Sequence, residues 1–116
     1  MSAPFVYQPA TTFSATAKIT VPGIAAPQDL PVVWRVLSRG EQQAWIERVA
    51  SRSEGDADAD GLLEVMADWS VVDGETSAPI PFSKPALREF LAAYPAAGAE
   101  LVQQYIRQVN ESRLGN

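Results

Sequence analysis

One short segment of the chain has the residue types and spacing of a cation-binding loop. Asp56, Asp58 and Asp60 alternate with alanine, and Gly61 follows directly. An EF-hand loop begins in this way, with carboxylates at positions one, three and five and a glycine at the sharp bend. Position twelve, where a glutamate should supply two oxygens, is Ala67. The sequence therefore predicts a solvated acidic loop ahead of a helix, with no metal and no cofactor.

The groups that usually perform covalent or acid–base catalysis are scarce. The chain has no histidine and no cysteine, which excludes an imidazole base, a disulfide and a thiolate metal site. Ser14, Ser70 and Ser83 therefore have no histidine to activate them. The carboxylates of the acidic segment show no sign of the apolar pocket that would raise one pKa for catalysis. We predict that the protein is not an enzyme and has no catalytic residues.

Length and charge narrow the class of protein. A chain of 116 residues with 47% hydrophobic and 20% charged residues suits a single domain, here 1–116. It contains neither an apolar run that could span a membrane nor a signal peptide. The net charge of −5 argues against nucleic acid as a partner. The acidic residues concentrate in one run, which indicates either a role in solubility or a surface that binds a basic partner. The run consists of Glu54, Asp56, Asp58, Asp60, Glu64, Asp68, Asp73 and Glu75.

The first third of the chain has the pattern of a β ribbon. Prolines in residues 1–11 predict a loose arm. Strict alternation of apolar and polar residues from Thr12 to Val21 predicts a strand with one buried face. After a loop, Val32–Leu37 is β-branched and aromatic and predicts a second strand. Two antiparallel strands over 12–37 are marginal alone, so we expect a helix or a second subunit to cover them.

The rest of the chain, 38–116, predicts about four helices. Ser38 and Glu41 have the spacing of a capping box. A second helix is predicted over about 60–69, a third from the Ser83 cap and a last one over about 96–113. The sequence thus predicts an α+β fold, an N-terminal two-stranded antiparallel β ribbon followed by about four packed α-helices. The residues expected to join them are Trp45, Trp69, Phe82, Leu87 and Tyr105.

The segment between the second and third helices carries a family resemblance. It contains Asp68-Trp69, then Val72-Asp73-Gly74, then Ile80-Pro81-Phe82-Ser83. Together with flanking apolar residues, these pieces resemble the tail assembly chaperones of long-tailed bacteriophages. The flanking residues are Leu62, Leu63, Leu87, Leu91, Tyr94, Pro95 and Tyr105. The likeness covers roughly the last half of the chain.

The resemblance implies a function in virion morphogenesis. Such chaperones bind the tape measure protein and keep it soluble in the host cytoplasm until the tail tube protein polymerises around it. They are absent from the mature virion, and a homo-oligomer is possible. A virion structural protein, such as a tail or head–tail joining subunit, remains an alternative reading, as does a small adaptor module with a weak calcium loop.

Candidate partner-binding residues come from the two C-terminal helices. Both carry strong apolar stripes, and a chain this small need not bury all of both. We expect the surplus to form a surface for an apolar helical partner or another copy of the chain, around Tyr94, Tyr105 and Val109.

Overall fold

The structure, a computed structural model, describes residues 3–51 and 56–111. Within these ranges the chain forms β1 Thr12–Ile19, β2 Gln28–Arg35, α1 Arg39–Ser51, α2 Asp56–Leu63, β3 Met66–Trp69, α3 Lys84–Ala93 and α4 Ala97–Glu111. The α+β prediction is confirmed, but the ribbon is a three-stranded sheet. The sequence also predicts that the first helix breaks at 53–55 and that Gly115 ends the last one, and both positions lie outside the described residues.

The sheet is antiparallel with the order β1-β2-β3. The predicted alternation in β1 is confirmed, since every second residue from Phe13 to Ile19 is buried or half-buried and the residues between them are exposed. β2 begins four residues earlier than predicted because Gln28 pairs with Ile19, which extends the ladder into the predicted loop. Pro31 sits within β2, and its carbonyl accepts from Ser70 N at 3.0 Å. Pro31 has no N–H that could donate a second hydrogen bond back to this segment. The strand β3 ends at Trp69, one residue before Ser70.

The third strand corrects the predicted helix over about 60–69. The helix α2 begins at Asp56, so the segment predicted as an acidic loop is helical instead. It ends at Leu63, and after a turn the chain pairs with β2: Arg35 N donates to Val65 O at 2.7 Å. The free edge of β2 needs partners for its backbone groups, and this pairing outweighs the helical spacing of the apolar residues.

The predicted helix caps are confirmed. Ser38 N donates to Glu41 Oε1 at 2.9 Å, and Glu41 N donates to Ser38 Oγ at 3.3 Å. The Ser38 backbone N–H first, and then the Ser38 side chain, lower the pKa of the Glu41 carboxyl by hydrogen bonding to it. Ser83 Oγ accepts from Ala86 N at 3.2 Å and caps α3. None of the helices in the described ranges is both long and apolar enough to cross a membrane.

Three aromatic rings form the centre of the core. Tyr105 packs edge-on against Trp34 and Trp45, with centroid distances of 5.1 and 5.2 Å. All three side chains are fully buried. Because buried polar groups need partners, the Trp45 indole N–H donates to Gly61 O at 2.8 Å and the Tyr105 hydroxyl to Arg35 O at 2.7 Å. The predicted packing is confirmed for Trp45, Leu87 and Tyr105.

Helix α4 lies along the outer edge of β1 through a polar row, Glu100, Gln104 and Gln108. Gln104 accepts from Lys18 N at 2.6 Å and donates to Lys18 O at 2.7 Å, as a neighbouring strand would. Glu100 accepts from Thr20 N at 2.8 Å, and Gln108 donates to a β1 carbonyl at 2.9 Å. The four-residue spacing places all three side chains on one helix face. The row therefore occupies an edge that would otherwise be free.

A candidate partner-binding groove

The loop between β3 and α3 is a small hairpin that exposes an apolar side chain. Ile80 N donates to Val71 O and Asp73 N donates to Ala78 O, each at 2.8 Å. Val72 lies between these two backbone contacts, and its side chain is 57% exposed. The backbone contacts therefore fix the position of this valine, although more than half of its side chain is exposed to solvent.

The tip of the hairpin is fixed by one carboxylate. Asp73 Oδ1 accepts from Glu75 N at 2.8 Å and from Thr76 N at 2.9 Å. These two backbone donors lower the pKa of the Asp73 carboxyl. A carboxyl whose pKa is lowered by folding stabilises the fold above its ordinary pKa, and loses that contribution as the pH falls through the lowered value. The hairpin is therefore held by a charged Asp73 at neutral pH.

Trp69 connects the hairpin to α3. It is 8% exposed, and its indole N–H donates to Ile80 O at 2.8 Å. Its ring packs against Phe82 and Phe90 with centroid distances of 5.2 and 5.4 Å. The prediction that Trp69 is buried and holds this segment is confirmed, although the residue comes from a strand rather than a helix end.

The turn between β1 and β2 faces the hairpin. Ile24 N donates to Val21 O at 3.0 Å across a tight turn. Gly23 adopts φ +87°, a conformation that residues with a Cβ disfavour. The turn leaves Ile24 half exposed, at 50%.

Between the turn, the hairpin and α3 lies an open groove of about 350 Å³. We call it the Val72 groove. Its floor includes the buried residues Ile19 and Leu30. Its partly or largely exposed apolar walls are Val21, Ile24, Val71, Val72, Phe90 and Tyr94. Apolar surface of this kind, held by rigid backbone, suits contact with another protein.

The structure separates the three predicted partner-binding residues. Tyr94 is half-buried and lines the Val72 groove. Val109 is half-buried on α4 and does not line the groove. Tyr105 is fully buried between Trp34 and Trp45. Its expected place on an exposed surface is therefore corrected, because α4 turns this position toward the sheet.

The sequence reasoning missed the most exposed apolar residues. Phe5, Val6 and Tyr7 are 90%, 71% and 86% exposed in an arm without regular secondary structure. Val72 and Ile24 are about half exposed. None of the five belongs to a periodic stripe, and periodicity was the signal used. Large apolar residues within predicted loops would have indicated these exposed positions.

Other surfaces offer less chemistry. Among the side chains that the structure describes, those of residues 3–50 and 59–111, no group of three or more acidic residues could hold a metal ion. Asp60 forms an ion pair with Lys84 at 2.8 Å, which joins α2 to the start of α3. A shallow depression on the exposed sheet face contains Ser14 and Ser70 beside Asp68. These hydroxyls lie on a solvated face of an antiparallel sheet, which is ordinary for this architecture.

These features describe a small α+β domain that carries an apolar groove on its surface. The family model for phage tail assembly chaperones matches residues 1–116. The chain therefore belongs to the phage tail assembly chaperone family, and the predicted resemblance is confirmed. No curated protein and no solved structure matches it. Membership assigns the chain a part in phage tail assembly as a chaperone and implies protein partners in that assembly.

Proposed function

We propose that the chain binds the tape measure protein and keeps it soluble during tail morphogenesis in the host cytoplasm. It would leave before the virion is complete, as the tail tube protein takes its place. The observation that carries this proposal is the Val72 groove in a protein of the tail assembly chaperone family. A tape measure protein exposes long apolar helical stripes until it is enclosed, and a chaperone must cover them.

The groove suits an apolar side chain from a partner helix. Its exposed apolar walls come from three separate segments, which bring Val72, Ile24 and Tyr94 to one groove. An amphipathic helix recognised by such a groove inserts residues spaced one turn apart. The Tyr94 hydroxyl adds a polar contact at the edge of an apolar wall, an arrangement favoured at interfaces. We assign Tyr94 and Val72 to the partner-binding surface, with Val109 as a second contact.

Coexpression with the tape measure protein of the same phage tests this function. The wild-type chain should raise the soluble yield of that protein several-fold. Val72→Asp should abolish the increase, because a carboxylate in the groove must lose its water when an apolar residue docks. Val36→Asp is the matched control, since Val36 is also exposed, at 38%, but lies outside the groove. It should behave as wild type.

Two results would contradict the proposal. The first is an unchanged soluble yield with Val72→Asp when circular dichroism shows a folded variant. The second is spontaneous assembly of the wild-type chain into rings or tubes without protection of any long partner. That second result would favour a virion structural protein over a chaperone.

A further inference from the structure

The arm that precedes β1 is the other strongly apolar exposed feature of the molecule. Its last tie to the fold is the hydrogen bond from Val36 N to Thr11 O, at 2.9 Å. Ahead of that bond, Phe5 and Tyr7 are 90% and 86% exposed. Residues 3–11 contain no charged side chain. An uncharged segment with two bare aromatic rings is costly to leave in water.

The arm cannot fill the Val72 groove of its own molecule. It joins the sheet at Thr12, whereas the groove lies beside Ile19, at the opposite end of β1. An eight-residue strand spans about 23 Å between these two residues. Tyr7 precedes Thr12 by five residues and Phe5 by seven, so fully extended segments reach at most about 18 and 25 Å from Thr12. The arm must first reverse direction to run back along β1, and the residues used in that reversal leave Phe5 short of the groove as well.

We propose that two copies of the chain exchange arms, with the Phe5–Tyr7 segment of each lying in the Val72 groove of the other. The exchange is reciprocal, so the same arm and the same groove serve in both molecules, as in a two-fold symmetric dimer. The proposal uses the groove assigned above to the tape measure protein, and the test below separates the two.

The buried area favours a reciprocal dimer over a single contact. Each aromatic side chain can bury about 150–250 Å², so with Val6 and the groove walls one contact covers roughly 1,000 Å². That area lies at the lower limit for a specific interface, whereas two contacts reach about 2,000 Å², which is typical of stable complexes. Only the reciprocal arrangement meets the requirement of a stable dimer.

An arm that lies in the Val72 groove excludes a partner helix from it. A groove of about 350 Å³ holds one or two large side chains, so it cannot take the arm and a partner helix together. The arm of the second copy therefore covers the groove until a partner displaces it.

Sedimentation velocity of the full chain over a range of concentrations tests the exchange. The wild-type chain should form a dimer. The arm variant Phe5→Ser/Tyr7→Ser and the groove variant Val72→Asp should each be monomeric, with a dissociation constant raised more than about thirtyfold, the effect expected for loss of an aromatic anchor. Gln8→Ser and Val36→Asp are the controls for arm and surface, and both should dimerise as wild type does.

A mixture of the two monomeric variants gives the sharpest result. The groove of the arm variant is intact, and so is the arm of the groove variant. One arm–groove contact can therefore form, and a weak heterodimer should appear at equimolar ratio. A contact between two arms or between two grooves predicts no heterodimer, so its absence overturns the proposal. A monomeric wild type, or a dimeric arm variant, does the same.

The same variants distinguish failure of the exchange from failure of the proposed function. Without its own competing arm, the arm variant should still raise the soluble yield of the tape measure protein. If Val72→Asp becomes monomeric but still protects the tape measure protein, the exchange holds and the partner site lies elsewhere. If Val72→Asp unfolds, Val72→Ser replaces it in both assays.

Discussion

Tyr105 links three parts of the fold through one phenol. Its hydroxyl donates to Arg35 O at 2.7 Å and accepts from Leu37 N at 3.3 Å, at the exit from β2. Its ring separates two buried tryptophans. The hydroxyl thus fixes where β2 ends, and the ring fills the space between the sheet and α1.

Tyr105→Phe tests the hydroxyl alone. The ring contacts should survive, while two part-buried backbone groups, Arg35 O and Leu37 N, lose a partner. We expect the free energy of unfolding to fall by about 1–3 kcal/mol, measured by urea denaturation with circular dichroism. Tyr105→Asp should unfold the chain, because it places an unpaired carboxylate in the core. A folded Tyr105→Asp variant that loses only partner binding would restore this residue to the exposed surface.

Tyr105→Phe should also differ from wild type in how its stability depends on pH. Burial raises the pKa of the Tyr105 phenol, the hydrogen bond from Leu37 N–H opposes the rise, and the charge of Glu41 adds to it. A raised pKa means that the contribution to stability is complete below the ordinary tyrosine value of about 10 and is lost as the pH rises through the folded value. Wild type should therefore lose more stability than Tyr105→Phe above about pH 10. Equal alkaline losses would contradict this assignment.

Among the elements, α4 and β1 depend on each other for polar groups. β1 is an edge strand, and such edges invite pairing with other chains. The polar row on α4 replaces the missing neighbour, and Gln104 alone satisfies both backbone groups of Lys18. Helix and sheet are thus joined by directional bonds as well as by apolar packing.

Gln104→Leu tests the polar row. Leucine has similar volume but leaves Lys18 N and O without their partner, so we expect a loss of about 1–3 kcal/mol. An open edge should also raise aggregation, measured by light scattering during mild heating. Gln103→Leu is the matched control because Gln103 is exposed. Equal stability and equal scattering for the two variants would show that α4 packs on β1 without need of these bonds.

Sequence patterns predicted the elements whose own residues determine them. The alternation in β1 and the caps at Ser38 and Ser83 are local signals, and the structure confirms them. The strand β3 was missed because its short apolar spacing also fits a helix. Its conformation depends on the free edge of β2, which is distant in sequence. Local propensity cannot report such a partner.

The candidate site was predicted less well than the fold, for a similar reason. Both C-terminal stripes were recognised, but whether a stripe is buried depends on what packs over it. Tyr105 meets the sheet and is buried, whereas Tyr94 reaches the end of α3 and lines the groove. The groove itself combines two loops and one helix, which are distant from one another in sequence. Only the fold brings Val72 and Ile24 to one groove.

At the scale of the whole molecule, two carboxylates of the acidic run form ion pairs with basic residues of other helices. Asp60 pairs with Lys84 at 2.8 Å and Glu64 with Arg48 at 2.5 Å. Asp68 accepts from its neighbour's backbone N–H at the edge of β3. Exposed pairs of this kind stabilise little individually. The arm, by contrast, carries no charged side chain over residues 3–11, and Asp29 is the one charged residue, among those that the structure describes, that lines the Val72 groove.

If two copies exchange arms, the stability of the fold must depend on protein concentration. Unfolding then releases two chains from one dimer, so mass action favours the folded dimer as concentration rises. We expect the melting temperature to increase by about 2–5 °C for each tenfold rise in concentration above the dissociation constant. The arm variant Phe5→Ser/Tyr7→Ser should melt at one temperature throughout, since its monomer has no linked equilibrium. Scans repeated after cooling would establish reversibility. A wild-type melting temperature that does not change with concentration would leave the arm without a partner in solution and contradict the exchange.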